Sequence, residues 1–495
     1  MKRLGMVLIA AVSIGLLSGC DLAPVYEQPK FELPQSYQGS GPFQVANPDA
    51  SLSPRGDWWT LFADEELNRL EDQLGHANPT LQAAVDSYAQ ARALAAEARA
   101  PLAPQVSAEA GLSQNKESVN HLFRSPDSDG PIREASNEFG IAASWEPDFW
   151  HALRNGAHAQ ERLAQASAAD LAAARLSLQA ELANDYIAVR GLDEQLTVLD
   201  QSIASYQAAV QIARLRAQGQ IASGLDLARA LSQLDSAQAQ QTETRLQRDL
   251  LQHAVAVLVG AMPSTFSIAP RTEFNLNPPQ LPVGVPAELL ERRPDIASAE
   301  RQMAAANASI GVARAAFYPN VTFSLTGGFQ DSGFNLVSLP SDFWSIGAAA
   351  LMPLFDGDLR KAQLRHSWAQ YAQTRDNYRA TVLAAFQEVE DGLSQTQRLA
   401  TQRTQEHEAS EQSGQALSIA TMLYKAGLDN YLSVSVAQVQ ALAAQLTEVQ
   451  VQVRQAQAAV SLVRALGGGW TAESLPTEAE TLKFTQSDYG VAPRT

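Results

Sequence analysis

The stretch R-A-A-F-Y-P-N-V-T-F-S-L-T-G-G-F-Q, Arg314–Gln330, changes its period once. Up to Ala316 its spacing is helical. Pro319 ends that helix, because the ring removes a backbone donor and clashes with the preceding turn. The period then becomes two: Val321, Phe323 and Leu325 fall on one face, and Thr322, Ser324 and Thr326 on the other. That alternation predicts a strand with one oily face and one wet face.

The same change occurs earlier in the chain. Ala98-Arg99-Ala100 matches Ala313-Arg314-Ala315, Pro79 matches Pro294 and Pro104 matches Pro319, all at one offset of 215 residues. After Pro104, Val106, Ala108, Ala110 and Leu112 alternate with Ser107, Glu109, Gly111 and Ser113. A shared offset with a shared change of period predicts two copies of one unit. Each copy reads helix-strand-strand-helix-helix. Repeat 1 covers 64–263, with strands at about 104–114 and 137–147 and helices at about 79–100, 158–218 and 226–259. A Pro-rich connector covers 264–293. Repeat 2 covers 294–470, with strands at about 319–330 and 342–352 and helices at about 294–316, 360–425 and 432–466; a polar tail, 471–495, reads as loose. In each copy the two shorter helices together match the long one, which predicts stacked pairs beside it and a layer ~85–100 Å tall at 1.5 Å per residue.

Strands of this length suit a tilted transmembrane strand. Four strands cannot close a barrel, and an open edge in lipid leaves backbone groups unpaired. In a membrane, several chains must therefore share one barrel: two chains give eight strands, three give twelve and a lumen. The other arrangement, a water-soluble sheet packed on helices, lacks a second apolar layer to cover four oily faces. The fold class is thus mixed α/β and mostly α, built for a membrane.

The totals narrow the function. The 495 residues carry a net charge of −17, which argues against a nucleic-acid partner. Beyond the N-terminus, no apolar run reaches the ~18–20 residues of a spanning helix. His151 and His158 lie seven apart without a third ligand at metal spacing. No nucleotide loop, zinc-protease motif or nucleophile elbow is present, so neither an enzyme nor a cofactor is expected.

The first nineteen residues read as an export signal: Lys2-Arg3, an apolar run Met6–Leu17, then Leu17-Ser18-Gly19-Cys20. The last four resemble the lipobox of bacterial lipoproteins. Cys20, the only cysteine, would then carry an S-diacylglycerol and an N-acyl chain, enough for stable anchoring. The alternative is an ordinary secretory signal. Asp21 follows directly, and an aspartate there resembles, in some bacteria, an inner-membrane retention signal. Residues 20–63 read as an extended tether ending in an aromatic clasp, Trp58-Trp59-x-x-Phe62.

With these features the chain resembles the TolC-like outer-membrane efflux family, in its NodT-type lipoprotein branch. Cys20, Trp58-Trp59-x-x-Phe62, the repeated helix–Pro–strand units, Tyr424-x-x-Gly427-x-x-x-Tyr431-Leu432 and Ala465-Leu466-Gly467-Gly468-Gly469-Trp470 carry the resemblance. It implies a homotrimer with a twelve-stranded outer-membrane β-barrel on a periplasmic α-helical barrel. It also implies the exit duct of a tripartite pump, served by a periplasmic adaptor and an inner-membrane transporter, of the RND type in preference to the ABC type. The family pattern places a closable end at the inter-helix turns, Gly219–Asp226 and Gly427–Leu432. There Asp226, Tyr424 and Asp429 match polar gate contacts, and Leu432 an apolar constriction. Val436 stands where some relatives carry a pore-lining aspartate. The first turn holds one residue more than expected. Helix capping accounts for the same residues, since Ser223-x-x-Asp226 resembles a capping box and Asp429 can serve a helix start. A passive porin and a periplasmic coiled-coil scaffold are the competing functions.

Overall fold

The computed structural model describes residues 21–31, 37, 56–116, 118, 133–221, 223–273, 289–333 and 338–483. Cys20 and the export signal lie outside the described residues. So do most of the tether, the centre of the first hairpin loop, 274–288 of the connector and 484–495 of the tail.

Two helices, α1 (Glu65–Ala77) and α2 (Pro79–Arg99), lead into the strands β1 (Gln105–Lys116) and β2 (Arg133–Trp145). The long helix α3 (Ala152–Gln218) and its return α4 (Gly224–Leu258) complete the first unit. The second unit has α5 (Pro294–Ala315), β3 (Asn320–Asp331), β4 (Asp342–Leu351), α6 (Leu359–Ala426) and α7 (Tyr431–Ala465) in the same order. The long helix begins at Ala152, six residues before the expected start. Both carboxylate oxygens of Asp148 cap it, accepting from the N–H groups of Leu153 and Arg154 at 3.0 and 2.9 Å.

The strands form one sheet in chain order, every neighbour antiparallel. The register sets Ala110 beside Phe139, Phe139 beside Phe329, Leu325 beside Ile346 and Gly327 beside Trp344. Paired residues share a face, so the oily faces read from the sequence join into one continuous apolar surface. Nothing among the described residues covers it: Val106 is 69% exposed and Trp344 and Ile346 are each 72% exposed. The opposite face carries Ser, Thr, Gly and Glu109. Gly328 is required there, because a Cβ on it would lie 2.3 Å from the Phe139 carbonyl oxygen. Both outer strands, β1 and β4, have one bare edge among the described residues.

The helices form four columns. α3 packs against α2 and α4 on one side and against α5 and α7 on the other; α6 packs on α5 and α7. The 67 residues of α3 reach ~100 Å at 1.5 Å per residue. The stacked pairs have 21 and 35 residues, and 22 and 35.

The stack joints are built alike. Asn78, just before Pro79, caps α2 by accepting from the Leu81 N–H at 2.8 Å, and its amide donates to the Leu258 carbonyl at the end of α4, 2.7 Å away. Arg293, just before Pro294, donates to the Ala465 carbonyl at the end of α7 at 3.1 Å. Gly467 passes so close to Arg292 that a Cβ would lie 1.9 Å from its carbonyl oxygen, and its φ is +90°.

The core sits at mid-height, around these joints. Trp58, Phe62, Leu67, Leu70 and Leu74 pack with Tyr186, Ile187, Leu258 and Ile268. The aromatic clasp is therefore packing. A charged cluster pins the start of the connector. Asp193 accepts from Arg190 and Arg248, whose guanidinium groups also donate to the carbonyls of Ala269 and Ile268.

The described parts of the tether and of the tail, the latter expected to be loose, are docked on the helices. The tether lies along α5 and α6: the Tyr26 hydroxyl donates to Glu300, the Asn307 amide donates to the Pro24 carbonyl, and Phe31 packs on Tyr378. Tail residues up to Lys483 follow α2 and α3, where Arg162 pairs with Glu478 at 2.9 Å and the Arg92 guanidinium donates to the Thr481 carbonyl.

Candidate functional site

The two helix reversals lie at the end of the columns far from the sheet. Gly427 ends α6 with φ +76°, and the N–H of Leu428 reaches back to the Leu423 carbonyl at 2.9 Å. The first reversal has the same closure, Ile221 N–H to Arg216 carbonyl at 2.9 Å, but Gln220 takes the positive φ at +58°. Aligned on that residue, the two turns have equal spacing to the cap, Gln220 to Ser223 and Gly427 to Asn430. The apparent extra residue is Gly219, which precedes the left-handed position. An asparagine or glycine is the usual occupant of such a position, and Gln220 gave no such signal.

The caps also differ from expectation. Ser223 accepts from the Leu225 N–H at 3.2 Å, a local turn without the reciprocal Asp226 arm of a capping box. Asn430, not Asp429, caps α7, through the Ser433 N–H. Asp429 accepts from the N–H of Asn430 at 2.7 Å.

The structure divides four of the five candidate residues into two groups, Asp429 serving only its local turn. Tyr424 is 3% exposed and meets Tyr431 edge-on at 5.5 Å between ring centroids, in a cluster with Val210, Ala213 and Ala230. Tyr431 donates to the Gln438 side chain at 3.2 Å, and Tyr206 donates to the Gln438 carbonyl at 3.0 Å. Burial, then the neighbours Tyr424, Tyr206 and Asp226, push the Tyr431 hydroxyl up to about 12. Asp226 thus belongs electrostatically to this cluster. Leu432 and Val436 stand apart, 47% and 48% exposed, and Val439 extends them at helical spacing. That stripe is apolar and uncovered within the chain. Sequence reasoning gave Tyr431 only a place in the family motif and passed over Gln438 and Arg216, whose guanidinium lies 4.4 Å over the Tyr424 ring.

Elsewhere, His158, Glu161 and Glu478 bring three donor atoms within 4.8 Å of one another. Arg99 already pairs with Glu161 at 3.1 Å and Arg162 with Glu478 at 2.9 Å. Two guanidinium groups neutralise the carboxylates a cation would need, so the group reads as a structural ion network.

A bare-edged amphipathic sheet above a tall helical layer that reverses at its far end defines a subunit of a membrane channel. The model of the outer membrane efflux protein family matches residues 70–261 and 285–468, and the chain belongs to that family. It is 33% identical over 429 residues to the pyoverdine export outer membrane protein OpmQ of Pseudomonas putida, an alignment covering 86% of this chain and 90% of that protein. It is 29% identical over 477 residues to outer membrane protein OprJ of Pseudomonas aeruginosa, covering 93% and 96%. Among solved structures, the outer-membrane channel OprN matches with a TM-score of 0.84 at 27% identity, covering 91% of this chain and 100% of that one. The protein is an outer-membrane exit duct for efflux, with its helical layer reaching into the periplasm.

Proposed function

We propose that three copies close into a twelve-stranded barrel continued by a helical tunnel, and that this tunnel passively conducts drugs or other small molecules handed over by partners. The observation that carries this reading is the pair of bare edges, among the described residues, on one sheet with a broad apolar band on its outer face. In lipid those edges must pair, and strand β1 of one copy with β4 of the next leaves none open. The helical columns repeat the problem at α2/α4 and at α6, which face no further column within the chain.

The partners are a periplasmic adaptor and an inner-membrane transporter, of the RND type rather than the ABC type. The chain holds no nucleotide-binding motif, so the energy comes from the transporter. The duct does no chemistry of its own and takes no cofactor. Its covalent lipid sits on Cys20, N-acylated and carrying an S-diacylglycerol. The tip residues Asp226, Tyr424, Asp429, Leu432 and Val436 form the gate region, with the tyrosine cluster as its closed packing and the Leu432–Val436 stripe facing the pore.

The ~100 Å helical layer favours a duct over a plain pore, which needs no structure below the bilayer. Deleting the gene should raise intracellular accumulation of a fluorescent efflux dye, and the wild-type gene should restore export. A C20S variant should lose incorporation of labelled palmitate. A deletion strain that exports the dye normally would refute the duct reading.

A further inference from the structure

We propose that Leu354 and Phe355, in the turn between β4 and α6, form a knob that seats on the turn between α2 and β1 of a neighbouring copy of the chain. The proposal rests on the shared-barrel reading above and names the contact that locks each seam where the sheet meets the helices. Among the described residues nothing covers these two side chains: they are 88% and 91% exposed. Adjacent large apolar residues left so bare mark a surface that meets a partner.

The internal repeat says which partner. Pro353-Leu354-Phe355 corresponds to Pro147-Asp148-Phe149 at an offset of 206 residues. That earlier turn follows β2, which pairs with β3. At the helical end of this pair, the turn after β2 packs on the turn before β3. Trp150 stacks on Tyr318 at 4.6 Å between ring centroids and donates from Nε1 to the Pro319 carbonyl at 2.8 Å. The Asn320 amide donates to Glu146 at 3.2 Å. Asp148 is buried, and Phe149 and Trp150 are half-buried. Beyond β4 there is no further strand among the described residues, so the turn that follows it has no turn to pack on. The counterpart of 317–320, at the offset of 215, is 102–105, which leads into β1, the other bare edge. Pairing β4 with β1 of a neighbouring copy brings these two turns together as β2 and β3 bring theirs.

The residue changes between the two units fit that contact. Within the chain the bulky member is Tyr318. Its counterpart is Ala103, small and exposed. The bulk moves to the other side of the seam, where Leu354 replaces Asp148. Asp148 caps α3 through the N–H groups of Leu153 and Arg154. In the second unit Asp356 accepts from the N–H and Nε of Arg360, so Leu354 is free of that duty. Lipid could cover the same two side chains, but it would leave Ala103 and Pro104 without the neighbour that Tyr318 and Pro319 have in Trp150.

The test is disulfide trapping in outer membranes with the full-length protein. A103C is combined with L354C and, separately, with F355C. Within one chain the two turns stand at opposite edges of the sheet, ~14 Å apart by three strand spacings, and a disulfide needs Cα atoms within about 7 Å. Oxidation should therefore link copies. At least one double variant should give dimer and trimer on non-reducing gels, while each single variant stays monomeric. F355A should lower by several degrees the temperature at which the detergent-extracted assembly falls to monomers, and F355L should recover most of the loss. If cysteines placed in β1 and β4 themselves link copies while both turn pairs stay unlinked, the knob is refuted and the shared barrel stands. If neither set links, both are refuted. Should F355C fail to assemble, the A103C/L354C pair decides. Dimers from a single variant at the same yield would mean chance collision and overturn the seat, as would F355A assemblies as heat-resistant as wild type.

Discussion

Glu71 occupies a place made for a leucine. Leu67, Leu70 and Leu74 form the buried stripe of α1, and position 71 lies on the same stripe. The residue is 1% exposed, and neither carboxylate oxygen has a partner among the described residues. Burial alone pushes its carboxyl from 4.5 up to about 9. The side chain is therefore protonated in the folded protein near neutrality and ionised when unfolded. Its folded-state value is raised, so its contribution is intact below 4.5 and falls away as pH rises towards about 9. E71Q should stabilise the protein by on the order of 2 kcal/mol near neutral pH, since each tenfold change in proton affinity between the folded and unfolded chain is worth about 1.4 kcal/mol. Melting curves should show the gain growing from about pH 5 to about pH 9 and vanishing near pH 4. Asp64 has the opposite sign. Burial opposes its ionisation, but bonds from the Leu67 N–H, Tyr186 and Arg271 win and hold its carboxyl below the usual range. At this scale the sequence was informative about side chains whose role follows from a period, such as Val321, Phe323 and Leu325 on the apolar face of β3. It was silent about Glu71, because a lone carboxylate inside an apolar stripe looks like a helix-surface residue until the neighbouring element is placed. The Arg216–Tyr424 contact was hidden for the same reason: the two residues lie over two hundred positions apart.

The elements were legible where proline and period agreed. Pro79 and Pro294 marked the starts of α2 and α5, and the alternation of Val321, Phe323 and Leu325 gave the apolar side of β3; β2 was placed at about 137–147. The start of that strand was missed, because Arg133–Ser136 reads as polar loop and only its pairing with the end of β1 makes it a strand. The start of α3 was missed because Asn155 and Gly156 weaken the helical pattern, and the capping signal lay in Asp148, four residues upstream of Ala152. The stack joints expose a deeper limit. Equivalent positions before the two prolines hold different residues, Asn78 and Arg293, yet both donate to the last carbonyls of the neighbouring helix. The structural role repeats where the residue type does not, so the proline was the visible half of the motif. N78A should remove the cap of α2 and leave the Leu258 carbonyl unpaired, costing about 1–3 kcal/mol. Denaturant titration of the full-length protein should show that loss, and hydrogen exchange should place it at the ends of α2 and α4. A variant as stable as wild type would mean the joint is held by packing alone.

At the scale of the molecule, the chain is unfinished in a specific way. The outer face of its sheet is apolar and bare, both strand edges are open, and the outer helical columns lack neighbours. The need for other copies could be read from four strands that cannot seal themselves. The number three came from the family resemblance, since two copies also satisfy the edges. The most direct measurement uses the chain's single cysteine to advantage. Under the proposed acylation of Cys20, no free thiol competes. A cysteine at Ala108 in the middle of β1 would be paired in turn with cysteines at Ile346, Ala348 and Ala350 in β4, all on the lipid-facing side. Within one chain β1 and β4 are three strand spacings apart, ~14 Å, too far for a disulfide, which needs Cα atoms within about 7 Å. Oxidation in outer membranes should give, for at least one pair, a ladder of dimer and then trimer on non-reducing gels and nothing larger. A chain that stays monomeric for every pair, or a ladder that stops at two, would contradict the shared twelve-stranded barrel.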